Sequence, residues 1–429
     1  MLFTLGVLLY ALGVRVAAFF GNAKAKQWVE GRRKQRKELK IIDKLLGRHK
    51  GNVPATDGDW IWFHAASLGE FEQGRPVIEA IKKEYPQFKI LLSFFSPSGY
   101  EVRKDYPLAD EVLYLPSDTA FHAKKWLHRH HFVAAFFIKY EFWFNYMRAL
   151  KNADIPLFYI SLIFNEKSYF FKSYGNWFRK QLLNVTHFFV QDETTASLLK
   201  ENGFDNYTVC GDTRFDRVAA IAKQARPFPE VEKFVSGRKC IIVGSTWPPD
   251  EKLLEAFVPK LPADYCLVIA PHDVSESHVA QIEAMFPEAQ RYTSINANQP
   301  TKILIVDTIG ILSQLYQYAR FVYIGGGFGV NIHNIQEPVT FGCPVVFGPK
   351  YGSFKEAVDL VAMQGAFSVN DAAGLEEIFS RLMNDEAFFN KASATCKTYL
   401  EQQVGATEKI MKASKISFFC KKRLEVLFV

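Results

Sequence analysis

The chain has 429 residues, 48% apolar and 23% charged, a balance that excludes wholesale disorder and, at roughly 150 residues per domain, predicts two or three folded units. Its net charge of +7 sits at one end, where eleven Lys or Arg stand against three acids between Gly21 and Lys50; the slightly acidic remainder argues against nucleic-acid binding by the main body. The six cysteines are scattered, with no C-x-x-C pair and no His at zinc spacing, so a reducing compartment and no structural metal are expected.

The first predicted element is the apolar stretch Leu2 to Phe20, interrupted by Arg15 and close to the length that crosses a bilayer. Positive charges follow it instead of preceding it, the reverse of a cleaved signal peptide. This predicts a retained anchor whose basic flank, "KAKQWVEGRRKQRKELK", stays on the cytoplasmic side against anionic headgroups. Leu39, Ile42 and Leu46 fall at helical spacing, which lays this piece along the membrane or against the protein. A competing reading is a first helix packed on the domain, followed by a solvated charged face. Residues 1–50 are assigned to anchor and basic helix.

From Val53 the pattern alternates strand and helix, the signature of α/β domains with parallel sheets. Strands are predicted at "WIWFHAA", "KILLSFF", "EVLYLP", "FVAAFFI", "PLFYISL" and "HFFVQD". A Pro- and charge-rich passage, "KQARPFPEVEKF", predicts a linker over 218–235. Alternation resumes with "KCIIVGS", "CLVIAPH", "KILIVDT", "FVYIGGG" and "PVVFGP". The expected architecture is two Rossmann-like, doubly wound domains facing a cleft, over 51–217 and 236–405. Residues 406–429 are expected either as a closing helix that returns to the first domain or, in "ASKISFFCKKRLEVLFV", as a second membrane contact. The acids of "DGD", Asp57 and Asp59, precede a strand and suit an exposed turn better than a metal site.

Ligands of open α/β sheets gather at the carboxyl ends of the strands, and there the chain is unusually polar. "HAASLGE" brings His64, Ser67, Gly69 and Glu70, the last in or just before a first helical turn, where helix capping alone would also explain it. In "SFFSPSGYE" the turn of Ser96, Ser98 and Gly99 offers backbone amides for an anion, and "FFIKYEFWFNYM" places Lys139 and Glu141 after an apolar strand. The glycines 325, 326, 327 and 329 predict close backbone approach to a ligand, in a spacing unlike that of dinucleotide enzymes. Asn334 and Glu337 precede a Pro that suits a helix start, and a carboxylate there can accept two ribose hydroxyls.

These motifs resemble, in order and over nearly the whole chain, those of the 3-deoxy-D-manno-octulosonic acid (Kdo) transferases, GT-B glycosyltransferases that act on the lipid A precursor. "HAASLGE" is similar to H-A-x-S-x-G-E, "SFFSPSGYE" to T-x-T-x-T-G-x-E and "KYEFWFN" to E-x-E-x-W-P-N; "GDTRFD", "GSTWPPDE", "APHDVSE", "DTIGILSQLY" and "GGGFGVNIHNIQEP" follow in register. The resemblance implies an inverting transfer of Kdo from CMP-Kdo in lipopolysaccharide core biosynthesis, at the cytoplasmic face of the cell inner membrane of a Gram-negative bacterium. Glu70 becomes the catalytic base and Glu141 a second important carboxylate. The donor site falls to Pro271, His272, Asp273, Thr308, Ile309, Gly310, Asn331, His333, Asn334 and Glu337, with no cofactor and no required metal. The chain departs from the pattern at His272, where an arginine is usual and where His272, Arg214 or Lys350 is left to supply the cation. It departs again at Phe144 in place of Pro, and at Lys139 in place of an acid. Two alternatives stay open: a GT-B transferase using a UDP-sugar, and a membrane-tethered nucleotide-sugar-binding module without catalysis.

Overall fold

Apolar runs bounded by polar turns form strands here because both faces of each sheet are covered, so almost every side chain of a central strand must be apolar. The computed structural model describes residues 2–45, 58–296 and 301–414. The chain divides into two compact units, Met1–Arg214 with Gly405–Val429, and Phe215–Val404.

The first unit carries β1 (Trp60–Ala65), β2 (Lys89–Phe94), β3 (Glu111–Tyr114), β4 (Phe132–Ile138), β5 (Leu157–Leu162), β6 (His187–Val190) and β7 (Tyr207–Val209). They form one parallel sheet in the order β3-β2-β1-β4-β5-β6-β7. Side chains alternate between its two faces: Trp60 and Trp62 enter one core with Phe137 and Tyr159, while Ile61, Phe63 and Ala65 enter the other with Phe136 and Ile160. Full burial of an aromatic such as Phe63 is worth ~1.5–3 kcal/mol, and Phe63 stacks on Phe136 at 4.8 Å.

The second unit repeats the plan. Strands β8 (Lys239–Thr246), β9 (Tyr265–Pro271), β10 (Gln290–Arg291), β11 (Ile303–Ile305), β12 (Ala319–Ile324), β13 (Val345–Phe347) and β14 (Ala366–Ser368) run parallel in the order β10-β11-β9-β8-β12-β13-β14. In each sheet the strand order reverses once, between β1 and β4 and between β8 and β12. Such reversals leave a crevice at the carboxyl ends of the two strands, because their connections leave in opposite directions.

Two expectations change. Of residues 218–235, expected as a linker, all but 224–228 lie in helices Arg214–Lys223 and Pro229–Val235, which bury Val218, Val231 and Phe234 in the core of the second unit. The proline that suggested a break, Pro229, is at the first turn of its helix, where its missing N–H costs nothing. At the start of the chain, α1 (Leu2–Phe19) and α2 (Ala23–Leu45) meet at a bend of 115°, and no single helix among the described residues is long and apolar enough to cross a membrane. Nor is α2 only a solvated basic face: Trp28, Arg32, Gln35 and Leu39, at helical spacing, turn inward onto the first unit. Helix Ala406–Ala413 belongs to the first unit and buries Ala406 and Ile410 in its core. Leu46, Asp57 and the tail from 415 onward lie outside the described residues.

Candidate active site

Helix α3 (Leu68–Glu84) starts at the carboxyl end of β1, with Ser67 in the extended capping position. The Ser67 side chain makes no capping bond; the Ala66 N–H donates instead to Glu70 Oε2 at 2.5 Å. Burial, and then the charge of Glu141, push the Glu70 carboxyl up to about 7, while the Ala66 N–H and the charge of Lys139 work in the opposite direction. Capping and an unusually basic carboxylate are therefore properties of the same side chain.

Glu141 lies across the switch point, on the turn after β4, and is buried. His64 Nε2 is 3.1 Å from its Oε2, Trp143 Nε1–H donates to the same oxygen at 2.8 Å, and the Tyr159 hydroxyl donates to its backbone carbonyl at 2.8 Å. Lys139, on that turn, adopts a left-handed backbone (φ 57°), a strained conformation of the kind that clusters at working sites. Its charge acts on both Glu70 and Asp212. Burial works against ionisation of Asp212, but Arg214, bonded to it at 2.9 and 2.6 Å, outweighs this and keeps the acid below the usual carboxylate range.

The turn of Ser96, Ser98 and Gly99 abuts the turn carrying Ser67 and Gly69: Ser96 N–H donates to Ala66 O at 2.7 Å, and a Cβ on Gly99 would come within 3.1 Å of the Ser67 carbonyl carbon. Ser96 also caps α4 (Pro97–Arg103) by accepting from Ser98 N–H. Asn145, in the same motif as Trp143, is engaged structurally, donating to Asp118 O at 2.8 Å.

In the second unit the turn after β8 carries Trp247, and the rings of Trp247, His272 and His333 stack, with centroids 4.7 Å apart between the first two and 4.4 Å between the histidines. Trp247 Nε1–H donates to His333 Nε2 at 2.9 Å. Burial, and then the neighbouring His272, hold His333 below the ordinary imidazole range. Of the three candidate cations, Arg214 is bound to Asp212 and Lys350 Nζ donates to Gly329 O, whereas His272 stands exposed in the stack.

Asn334 and Glu337 come together, Asn334 Nδ2–H donating to Glu337 Oε1 at 3.3 Å, and burial raises the Glu337 carboxyl above its usual range. Ile309 is 78% exposed, and Gly310 follows in a left-handed turn (φ 91°). Pro271 ends β9, and Asp273 accepts from Ser275 N–H at 2.9 Å at the start of helix Glu276–Met285. Asn331 is exposed, and its carbonyl faces Gly326.

The glycine cluster lets strand-end backbones approach one another: a Cβ on Gly325 would lie 2.4 Å from Ser245 O, and one on Gly327 would lie 2.7 Å from Gly348. Buried Asp250 locks the loop by accepting from Gly326 N–H at 3.0 Å, Trp247 N–H at 3.0 Å and Tyr323 OH at 2.7 Å. Sequence reasoning missed Asp250, Trp247, Trp143 and the pair His64–Ser93. The last had a readable signal: His64 and Ser93 are polar residues in adjacent apolar strands and are register partners in the β1–β2 ladder.

Comparison with known proteins adds an independent line. The sequence profile of the family described as 3-Deoxy-D-manno-octulosonic-acid transferase (kdotransferase) matches residues 32–217. The 3-deoxy-D-manno-octulosonic acid transferase of Chlamydophila psittaci is 26% identical over 374 residues, 84% of each chain. That of Bordetella pertussis is 25% identical over 387 residues, 86% of this chain and 90% of the relative. Among solved structures, a UDP-GlcNAc 2-epimerase from Neisseria meningitidis superposes with a TM-score of 0.56 at 13% identity, over 83% of this chain and 99% of that one. At that identity the likeness concerns the two-sheet fold alone.

Proposed function

We propose, for a chain that belongs by sequence with the Kdo transferases, an inverting transfer of Kdo from CMP-Kdo to a hydroxyl of the lipid A precursor, with Glu70 as the base. The observation that carries this reading is the Glu70 carboxyl, raised to about 7 at the carboxyl end of β1 beside the switch point of the first sheet. An acceptor hydroxyl must lose its proton as it attacks the anomeric carbon, and a positioned base with a pKa near the working pH typically contributes about 10²–10⁴-fold. Attack from the side opposite the departing CMP inverts that centre. The leaving group carries a single phosphate, which backbone amides and an imidazole N–H can hold without a metal.

On the donor side, Glu337 is oriented by Asn334 for the ribose hydroxyls, with Ile309, Gly310 and the His272–His333 stack left for phosphate and sugar carboxylate. The acceptor is a lipid, and α1 suits an interfacial seat at the cytoplasmic face of the inner membrane: Leu5, Leu8, Leu9, Leu12 and Phe19 are each at least half exposed.

The test compares wild type with Glu70→Gln and Glu70→Ala for Kdo transfer from freshly generated CMP-Kdo to a tetra-acylated precursor, with CMP binding measured alongside. Loss of about 10² or more in turnover with CMP affinity kept is the expected result. Near-normal turnover in both variants would overturn the base assignment, and absence of Kdo transfer by wild type would overturn the donor and acceptor.

A further inference from the structure

Strand β1 reads "WIWFHA", and His64, its one titratable residue, is fully buried. An imidazole without partners in such a place would be costly, and here both ring nitrogens are engaged. Nδ1 lies 2.8 Å from Ser93 Oγ; Nε2 lies 3.1 Å from Glu141 Oε2 and 2.8 Å from Trp143 Nε1. Trp62 Nε1–H donates to the same Ser93 Oγ at 2.7 Å, and Trp143 Nε1–H to the same Glu141 oxygen at 2.8 Å.

The surroundings choose between the neutral tautomers. With the proton on Nδ1, Nε2 would accept Trp143 Nε1–H at 2.8 Å but would also hold its lone pair against the Glu141 oxygen at 3.1 Å, and the Ser93 hydroxyl would be left to donate to the Phe63 carbonyl at 3.3 Å. With the proton on Nε2, the ring donates to Glu141 and receives the Ser93 hydroxyl on Nδ1 over the shorter 2.8 Å. The second form removes that repulsion and gives the Glu141 oxygen two donors, His64 Nε2–H and Trp143 Nε1–H.

We infer that His64 is a positioning residue of the transfer reaction: by donating Nε2–H to Glu141 it fixes that carboxylate in place, so that the charge facing Glu70 is set from the strand pair behind it. The inference rests on Glu70 being the base. Glu70 faces Glu141, Lys139 and the Tyr140 phenol on the turn after β4, and the amides of Ala66 and Ser67 on its own turn. Asp212, bound to Arg214, is the further acid on which Lys139 acts. Glu141 favours the protonated form of Glu70, and Lys139 favours the ionised form. Removing the Glu141 carboxylate, or letting it swing away from Glu70, therefore lets Glu70 ionise at lower pH and moves the acid limb of the rate downward.

Two substitutions separate this role from packing. His64→Gln places an amide N–H where Nε2 stands, within reach of Glu141; His64→Asn replaces only the Nδ1 end and leaves Glu141 without that donor. The pH dependence of kcat and KM is measured for wild type, Glu141→Gln and both His64 variants, with thermal melting as a check on folding. Expected is an acid limb lowered by about half a unit or more in Glu141→Gln and His64→Asn, with plateau kcat reduced about fivefold or more and KM little changed. His64→Gln keeps the wild-type limb. A wild-type limb in His64→Asn, or equal displacement by Asn and Gln, overturns the inference. If His64→Asn does not fold, His64→Gln decides, and a limb shared with Glu141→Gln overturns it. Glu70→Gln in the same assay keeps the two readings apart: full turnover there defeats the base assignment, whereas an inactive Glu70→Gln with an unmoved His64→Asn limb defeats only the role of His64.

Discussion

At the scale of a single residue, Glu70 occupies a helix first turn, where a carboxylate is ordinarily stabilised, and yet its carboxyl is raised to about 7. Burial and the charge of Glu141 exceed the help from the Ala66 N–H and Lys139. The consequence for stability has a definite sign. An unfolded Glu loses its proton near pH ~4.3, and the folded one holds it until about 7, so the folded state is favoured by the protonated form and loses stability as pH rises between those values. Glu70→Gln, which mimics the protonated form, is expected to raise the melting temperature at about pH 8 and to leave it unchanged near pH ~4. If Glu70→Gln instead melts lower at both values, the carboxylate acts as a helix cap and its burial is not strained. Glu70 was legible in the sequence because S-x-G-E after an apolar strand is a local pattern. His64 was named beside it, but its role was not legible, because that depends on Ser93 from the next strand and Glu141 from across the switch point.

Among the elements, the two N-terminal helices divide their labour in a way composition concealed. The basic count of α2 suggested a solvated face, but Arg32 is half-buried over the Trp28 ring at 3.8 Å, and desolvation lowers its pKa to about 9. Gln35 goes further: its Nε2–H donates to Tyr114 O at 2.8 Å and its Oε1 accepts from Tyr114 N–H at 2.6 Å, so a side-chain amide takes the place of a neighbouring strand along β3. An edge strand left bare exposes unpaired backbone groups, and here α2 covers it. Gln35→Leu keeps the volume and strips both bonds, and is expected to cost about 1–3 kcal/mol per group left unsatisfied, read as a lower denaturation midpoint. Leu5→Ser with Leu9→Ser, on the exposed side of α1, is expected to leave that midpoint alone and to reduce co-flotation with anionic vesicles. The reverse pattern, with vesicle binding lost in Gln35→Leu and stability lost in the α1 variant, would show that α1 is a core helix of the domain.

For the whole molecule, alternation of apolar runs and helices was enough to read two parallel sheets, since each central strand is buried on both faces. Strands β7, β10 and β14 were not legible: they have three, two and three residues, lie at sheet edges, and are too short to show a period. Strand order was equally hidden, because it depends on which helix crosses which face, and strand order is what brings Glu70 and Glu141 to adjacent strand ends. Each sheet has its own switch point and its own pair of cores, so the two halves of the proposed reaction should be separable. Perturbations without shared partners add. Glu337→Ala is thus expected to weaken CMP binding about 10-fold or more, the loss of a charged hydrogen bond of ~1.5–3 kcal/mol, while Glu70→Gln leaves CMP affinity unchanged and abolishes turnover. Calorimetric titration with CMP of both single variants and the double variant decides the matter. If Glu70→Gln weakens CMP binding as much as Glu337→Ala does, or the double variant departs from the sum, the donor contacts are not confined to the second unit and the division of labour between the sheets is wrong.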